Sequence, residues 1–284
     1  MPFPMPRALL SAAFLLSILF ISCSKDGEDV VEGPAAPVAE TLSEADRVGL
    51  VWSDEFDSGT APNAANWTYE IGDGSAQGIP GWGNGEQQFY TNRPENVSVA
   101  NGFLTITARG ENYSGKNYTS ARIKTQEKFS FKYGRMVVRA KLPSKSGTWP
   151  AVWLLGNSIT QVGWPRCGEI DVIEQRGSDK TKIMGAVHWF DQGTNANAKY
   201  DKEVTVAGLT TEFKKYTFEW TPTVVRYFVD NTKYFEMTIN ESMPFNDPFF
   251  IVTNIAMGGT LGGPIPGGFS TDKLMIDYIR VYEN

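Results

Sequence analysis

The chain has few of the residues from which disulfide frameworks and thiol-based sites are built. It contains two cysteines, Cys23 and Cys167, and a single histidine, His188. If Cys23 is taken up by another role, Cys167 has no partner and no disulfide framework is implied. No Cys-His-Asn pattern surrounds Cys167, which reads as a small buried hydrophobe rather than a nucleophile. Long apolar runs are also missing. The run over residues 8–21 is too short and wrongly flanked for a transmembrane helix. There is no basic cluster: 26 basic against 32 acidic residues give a net charge of −6. Residues before Asp46 hold two basic and six acidic side chains, or −4, which leaves about −2 for the remainder. That balance excludes a nucleic-acid surface and suits a neutral, sugar-like ligand. Finally, no long stretch has helical periodicity, and there is no internal repeat.

What is present begins with an export signal: Arg7, the apolar run, then Ser22 before Cys23. Leu19-Phe20-Ile21-Ser22-Cys23 resembles a bacterial lipoprotein signal, with Phe20 an imperfect match. That resemblance implies cleavage before Cys23, lipidation of Cys23, and a cell-surface or outer-membrane location; a periplasmic or secreted protein is the alternative. The chain then divides into residues 1–23 as signal, an acidic Pro/Ala-rich tether over 24–45, and one domain over 46–284. The membrane is a partner only through the lipid, and the domain is expected to be a monomer.

From about Leu50 onward the pattern is strand after strand. Candidates cover 103–108, 120–125, 134–142, 151–155, 169–174, 183–188, 215–220, 224–229, 249–256 and 275–282. Asp230-Asn231 closes a hairpin between 224–229 and 233–236. Many short strands in one domain predict an all-β, two-sheet sandwich. The Gly- and Trp-rich stretches at 81–85 and 258–264 read as loops, neither strand nor helix.

The stretch Gly168-Glu169-Ile170-Asp171-Val172-Ile173-Glu174 concentrates the chemistry. Valine and isoleucine favour a strand, on which Glu169 and Asp171 share a face. Glu174 has the wrong parity and joins them only if the strand bulges near Val172-Ile173. Three like charges on one face make a poor core but a workable site with split pKa values. Two carboxylates flanking a glycosidic bond cleave it when one stays protonated and the other ionised.

Glu-Ile-Asp-Val-Ile-Glu resembles the bulged signature of glycoside hydrolase family 16. The laminarinase-like branch is matched by Trp82-Gly83-Asn84-Gly85-Glu86-Gln87-Gln88-Phe89-Tyr90-Thr91, Trp149-Pro150-Ala151-Val152-Trp153, Trp164-Pro165, Asn254-Ile255-Ala256-Met257-Gly258-Gly259 and Ile276-Asp277-Tyr278-Ile279-Arg280-Val281-Tyr282. The resemblance implies a β-jelly-roll sandwich with a concave cleft. It implies Glu169 as nucleophile, Glu174 as general acid/base and Asp171 as the assisting carboxylate, with retention of configuration and no catalytic cofactor. It also implies a structural calcium ion at Glu55, the Gly102 carbonyl and Asp277. Sugars offer apolar faces and polar edges, so Trp149, Trp153 and Trp164 are candidate platforms. Arg122, His188, Asn84 and Asn254 are candidate partners for sugar hydroxyls.

The expected activity is endo-hydrolysis of laminarin-like β-1,3-glucan. Mixed-linkage β-1,3/1,4-glucan and agarase-like activity are the alternatives within the family. Strict mixed-linkage enzymes of the family tend to lack the bulge residue and to carry an aromatic where Ala256 stands, and sulfated substrates call for basic clefts. A surface glycan-binding lipoprotein is the non-enzymatic alternative, but a binder needs no trio of carboxylates.

Overall fold

The computed structural model describes residues 1–2 and 37–283. The signal segment, Cys23 and most of the tether lie outside the described residues. The compact unit begins at Ala39 rather than at residue 46. Glu40 explains the difference: its N–H donates to Asp277, and its carboxylate pairs with Arg139 and Lys215 at 3.1 and 3.0 Å.

The strands run β1 (Leu50–Asp54), β2 (Thr68–Glu70), β3 (Gln88–Tyr90), β4 (Val97–Ala100), β5 (Phe103–Tyr113) and β6 (Lys116–Ser120). They continue as β7 (Arg122–Lys124), β8 (Gly134–Lys141), β9 (Thr148–Gly156), β10 (Glu169–Glu174), β11 (Lys182–Asp191) and β12 (Ala196–Thr205). The last are β13 (Lys214–Trp220), β14 (Val224–Val229), β15 (Thr232–Thr238), β16 (Phe249–Met257) and β17 (Thr271–Tyr282). Two sheets form the jelly-roll sandwich. One has ten strands, in the order β15-β14-β13-β8-β17-β5-β6-β3 with β1 on β17 and β4 on β5. The other has seven, in the order β12-β11-β10-β9-β16-β7-β2. Between them lies one large apolar core that includes Trp67, Trp220, Phe218, Phe249, Ile170 and Ile173.

Three local expectations change. The strand anticipated over 120–125 is two strands, because the chain leaves the ten-stranded sheet at Ser120 and enters the seven-stranded sheet at Arg122. Ala121 at this crossing is fully buried. Strand β12 gave no sequence signal, since it is a polar edge whose side chains are mostly exposed and therefore show no apolar alternation. The glycine-rich stretch 258–263 contains one helical turn, α2 (Gly259–Gly262), entered and left through left-handed Gly258 and Gly263. The other short helix, α1 (Ile159–Val162), lies between β9 and β10.

The bulge occurs where the parity of the acids demands it. Against β9, Asp171 faces Trp153 and Ile173 faces Val152, so Val172 is the extra residue. Against β11, the register slips between Asp171 and Glu174. Ile170 and Ile173 then both face the core, each fully buried. Entry into β10 depends on Gly168, which has φ +81 and whose missing Cβ would sit 2.7 Å from the Phe249 ring.

Candidate active site

Residues directly opposite one another in an antiparallel pair share a face. From Glu174 one row crosses the seven-stranded sheet through Ala151, Asn254, Arg122 and Glu70. A second row joins Ala186, Asp171, Trp153 and Val252, and a third joins His188, Glu169 and Leu155. Trp149, Ala151 and Trp153 alternate on β9, so both indoles lie on the carboxylate face. Trp153 thus lies on the carboxylate face of the sheet, outside the apolar core. Without the bulge, Glu174 would share the face of Ile170.

Each acid has its own surroundings. Asp171 and Glu174 are 4% and 6% exposed, and Glu169 is half-buried. Glu174 Oε1 accepts the Trp149 indole N–H at 2.9 Å. His188 Nε2 lies 3.3 Å from Asp171 Oδ2 and 3.9 Å from Glu169 Oε1. Burial pushes Glu169 up to about 8, helped by the Asp171 charge and opposed by His188, Arg122 and a Trp164 hydrogen bond. Burial likewise raises Asp171. Glu174 is also raised, well above the usual carboxylate range, through burial and then the Asp171 charge. All three acids are thus pushed toward the protonated form by burial, with Trp149 opposing the shift at Glu174 and His188 and Arg122 opposing it at Glu169.

Arg122 links several side chains of this face. Its guanidinium is 4.7 Å from the ring centroids of both Trp82 and Trp153, and 2.7 Å from Glu70 Oε2. Lys124 Nζ holds the other Glu70 oxygen at 2.7 Å. Burial raises Glu70, but Arg122 and Lys124 outweigh it and hold the carboxyl below its usual range. Trp153 donates to Asn254 Oδ1 at 2.9 Å, which orients that amide. Trp164 is 52% exposed on the loop before β10, with its ring 6.2 Å from that of His188.

Asn84 stands apart from the carboxylates in its bonding. Its amide donates to Glu86 Oε1 at 3.3 Å, and its carbonyl accepts the Thr260 N–H. Glu86 also accepts from Gln88 and Tyr90, so this loop is braced by a buried acid. Glu70, Trp82, Glu86 and Tyr90 were not singled out by sequence reasoning. Trp82, Glu86 and Tyr90 lie inside the Trp-Gly-Asn segment already noted, whereas Glu70 sits on a three-residue strand that carries no pattern.

Among the described residues, Glu169, Asp171 and His188 form the group whose donor atoms, all within 4.8 Å, have metal-ligand chemistry. The expected calcium residues belong to the other sheet. There Arg280 grips both oxygens of Glu55 at 2.8–3.2 Å, and Asp277 Oδ2 accepts from Arg139 and from the Glu40 N–H. Ala39 packs over Gly102. As arranged, Glu55, Gly102 and Asp277 do not fit a cation, because guanidinium groups already neutralise both acids. Cys167 is buried and burial pushes its thiol up to about 12, consistent with an inert side chain.

With this geometry in place, comparison with known proteins is direct. Residues 84–280 match the model of the glycosyl hydrolases family 16. A beta-glucanase of Rhodothermus marinus is 39% identical over 97% of this chain and 95% of its own length. The LamAcat structure from Zobellia galactanivorans is 39% identical, with a TM-score of 0.77, and covers 84% of this chain and 99% of that one. The laminarinase catalytic domain from Thermotoga maritima is 40% identical, with a TM-score of 0.75, over 83% and 98% of the two chains. The chain belongs to glycoside hydrolase family 16 and is a laminarinase-like member of it.

Proposed function

We propose that this chain is a retaining endo-β-1,3-glucanase acting on laminarin-like glucans. The observation that carries the reading is the bulge in β10, which collects Glu169, Asp171 and Glu174 on one face of the sheet, where burial raises all three carboxyls. Glu174 gives its proton to the glycosidic oxygen as the bond to the anomeric carbon breaks. Glu169 attacks that carbon and forms the glycosyl-enzyme. Glu174, now ionised, takes a proton from water, which displaces Glu169 and restores both groups. Asp171 lies between them, beside His188, and modulates the pair. Trp149, Trp153 and Trp164 offer ring faces to the sugars, and Arg122, His188, Asn84 and Asn254 contact hydroxyls.

A β-1,3 preference over strict mixed linkage is supported by Ala256. It pairs with Trp149 across β9 and β16, so a small side chain takes the place where an aromatic would narrow the cleft. Product profiles on laminarin, curdlan, barley-type mixed glucan and agarose test the assignment. Fast release of oligosaccharides from laminarin with β-configured initial products is expected. Hydrolysis of agarose alone would remove it.

The same reading includes export, lipidation of Cys23, a surface or outer-membrane location and a monomeric catalytic domain, supported by the signal-like segment and the acidic tether. Cys23→Ser should move the protein out of the membrane fraction. No calcium ion is included, since Arg280 and Arg139 supply the positive charge at Glu55 and Asp277.

A further inference from the structure

Lys180, on the loop between β10 and β11, carries an ammonium group bonded to neutral oxygens. It donates to the Thr148 carbonyl and hydroxyl, both at 2.8 Å, and to Gln175 Oε1 at 3.2 Å. These three bonds use all the ammonium protons. Gln175 returns a bond from Nε2 to the Lys180 carbonyl at 3.0 Å, and the Thr148 hydroxyl is fixed on the Lys145 carbonyl at 2.8 Å. Thr148 and Gln175 are both fully buried. Burial pulls the ammonium down to about 7, opposed only by the Asp272 charge.

The placement of these acceptors gives the lysine its meaning. Thr148 directly precedes Trp149, and Gln175 directly follows Glu174. Between those two neighbours runs the 2.9 Å bond from the Trp149 indole to Glu174. The β9–β10 ladder has its last pair at Glu174 and Ala151, while Trp149 pairs with β16 instead. Past that pair, Lys180 bonds both to Thr148 at the start of β9 and to Gln175 just after β10.

We propose that Lys180 is a positioning residue for the general acid/base, holding Trp149 and Glu174 together beyond the end of their shared ladder. This rests on Glu174 being the acid/base. A free carboxyl and indole would sample several rotamers, and a misplacement of about 1 Å at a reacting group costs up to about 100-fold in rate.

The test compares Lys180→Met, Lys180→Arg, Gln175→Leu, Trp149→Phe and the Lys180→Met/Trp149→Phe double variant on laminarin. Lys180→Met should lower kcat about tenfold and change KM less than about twofold. Its alkaline limb should move to higher pH, because loss of the indole bond leaves Glu174 protonated longer. Lys180→Arg should recover part of kcat, and Gln175→Leu should move kcat and the limb in the same direction by less. In the Trp149→Phe background, Lys180→Met should add little further loss. A Lys180→Met or Gln175→Leu variant that lowers Tm while leaving kcat and the alkaline limb in place overturns the proposal, as does full additivity in the double variant. The underlying assignment is read separately: on an aryl glucoside whose leaving group needs no proton, Glu174→Ala should be rescued by azide with formation of the β-glycosyl azide, and absence of rescue there would sink the acid/base role whatever Lys180 does.

Discussion

His188 places Nε2 3.3 Å from Asp171 Oδ2, a buried oxygen that makes no hydrogen bond of its own. The same nitrogen lies 3.9 Å from Glu169. The only imidazole of the chain therefore sits over the two acids on one side of the bulge, and it opposes the upward shift of Glu169. His188→Asn should move the acidic limb of kcat/KM to higher pH, with about a tenfold loss at pH 6. An unchanged limb would mean that the histidine only contacts substrate.

Removing the proposed nucleophile and the proposed acid should give different signatures. Glu169→Ser should lose about 10³-fold or more of kcat on every substrate. Glu174→Ala should lose a similar amount on laminarin but far less on an aryl glucoside whose leaving group needs no proton. Steady-state kinetics on both substrates separate the roles, and equal losses would reverse or merge them.

The raised carboxyls also set a stability gradient. Glu169 titrates near 4.5 in the unfolded chain and about 8 in the folded one, so the native state binds more protons between those values. Stability from this group is complete below about 4.5 and is lost as pH rises through 8. Glu169→Gln removes this group's share of the gradient. By calorimetry, its Tm should exceed that of the parent by about 4 °C at pH 8.5, and the gap should close at pH 4.5. A gap that grows toward low pH would contradict the burial argument.

Arg122 joins two indoles to Glu70, and Arg122→Met would leave that largely buried carboxylate to Lys124 alone. Breaking a buried ion pair costs about 3–5 kcal/mol, and the remaining lysine should reduce this to about 2–3 kcal/mol in urea unfolding. Trp153 would lose its stacked cation, so KM on laminarin should rise as well. A stable variant with unchanged KM would assign Arg122 to the surface.

On the ten-stranded sheet, Arg280 and Arg139 occupy the acids that a calcium ion would need. Chelator treatment should therefore leave Tm unchanged within about 1 °C, whereas Arg280→Gln should lower it by several degrees, since it strands Glu55. A rise of Tm on adding calcium would restore the cation site.

The periodic strands were legible because each buries one face: 134–142, 215–220, 224–229 and 249–256 agree with β8, β13, β14 and β16 to within a residue or two. The polar edge strand β12 left no trace for the opposite reason. The sheet change at Ala121 was hidden because residues on both sides of it look equally strand-like.

The spacing of the acids alone posed the question: Glu169 and Asp171 share a face, and Glu174 joins them only through a bulge, which the pairing with β9 supplies. Parity is a covalent property of a strand and needs no neighbours. The sequence by itself also determined the sandwich class, through many short amphipathic strands. Only the tertiary structure decided the rest. The strand register set Arg122 between Trp82 and Trp153 and put Trp153 on the carboxylate face. Packing against Trp149 and His188 made the three acids unequal. Neighbouring strands brought Arg280 to Glu55 and Arg139 to Asp277, and Lys180 met Thr148 and Gln175. These depend on which strands lie side by side and how deeply each charge is buried, and neither is written in local spacing.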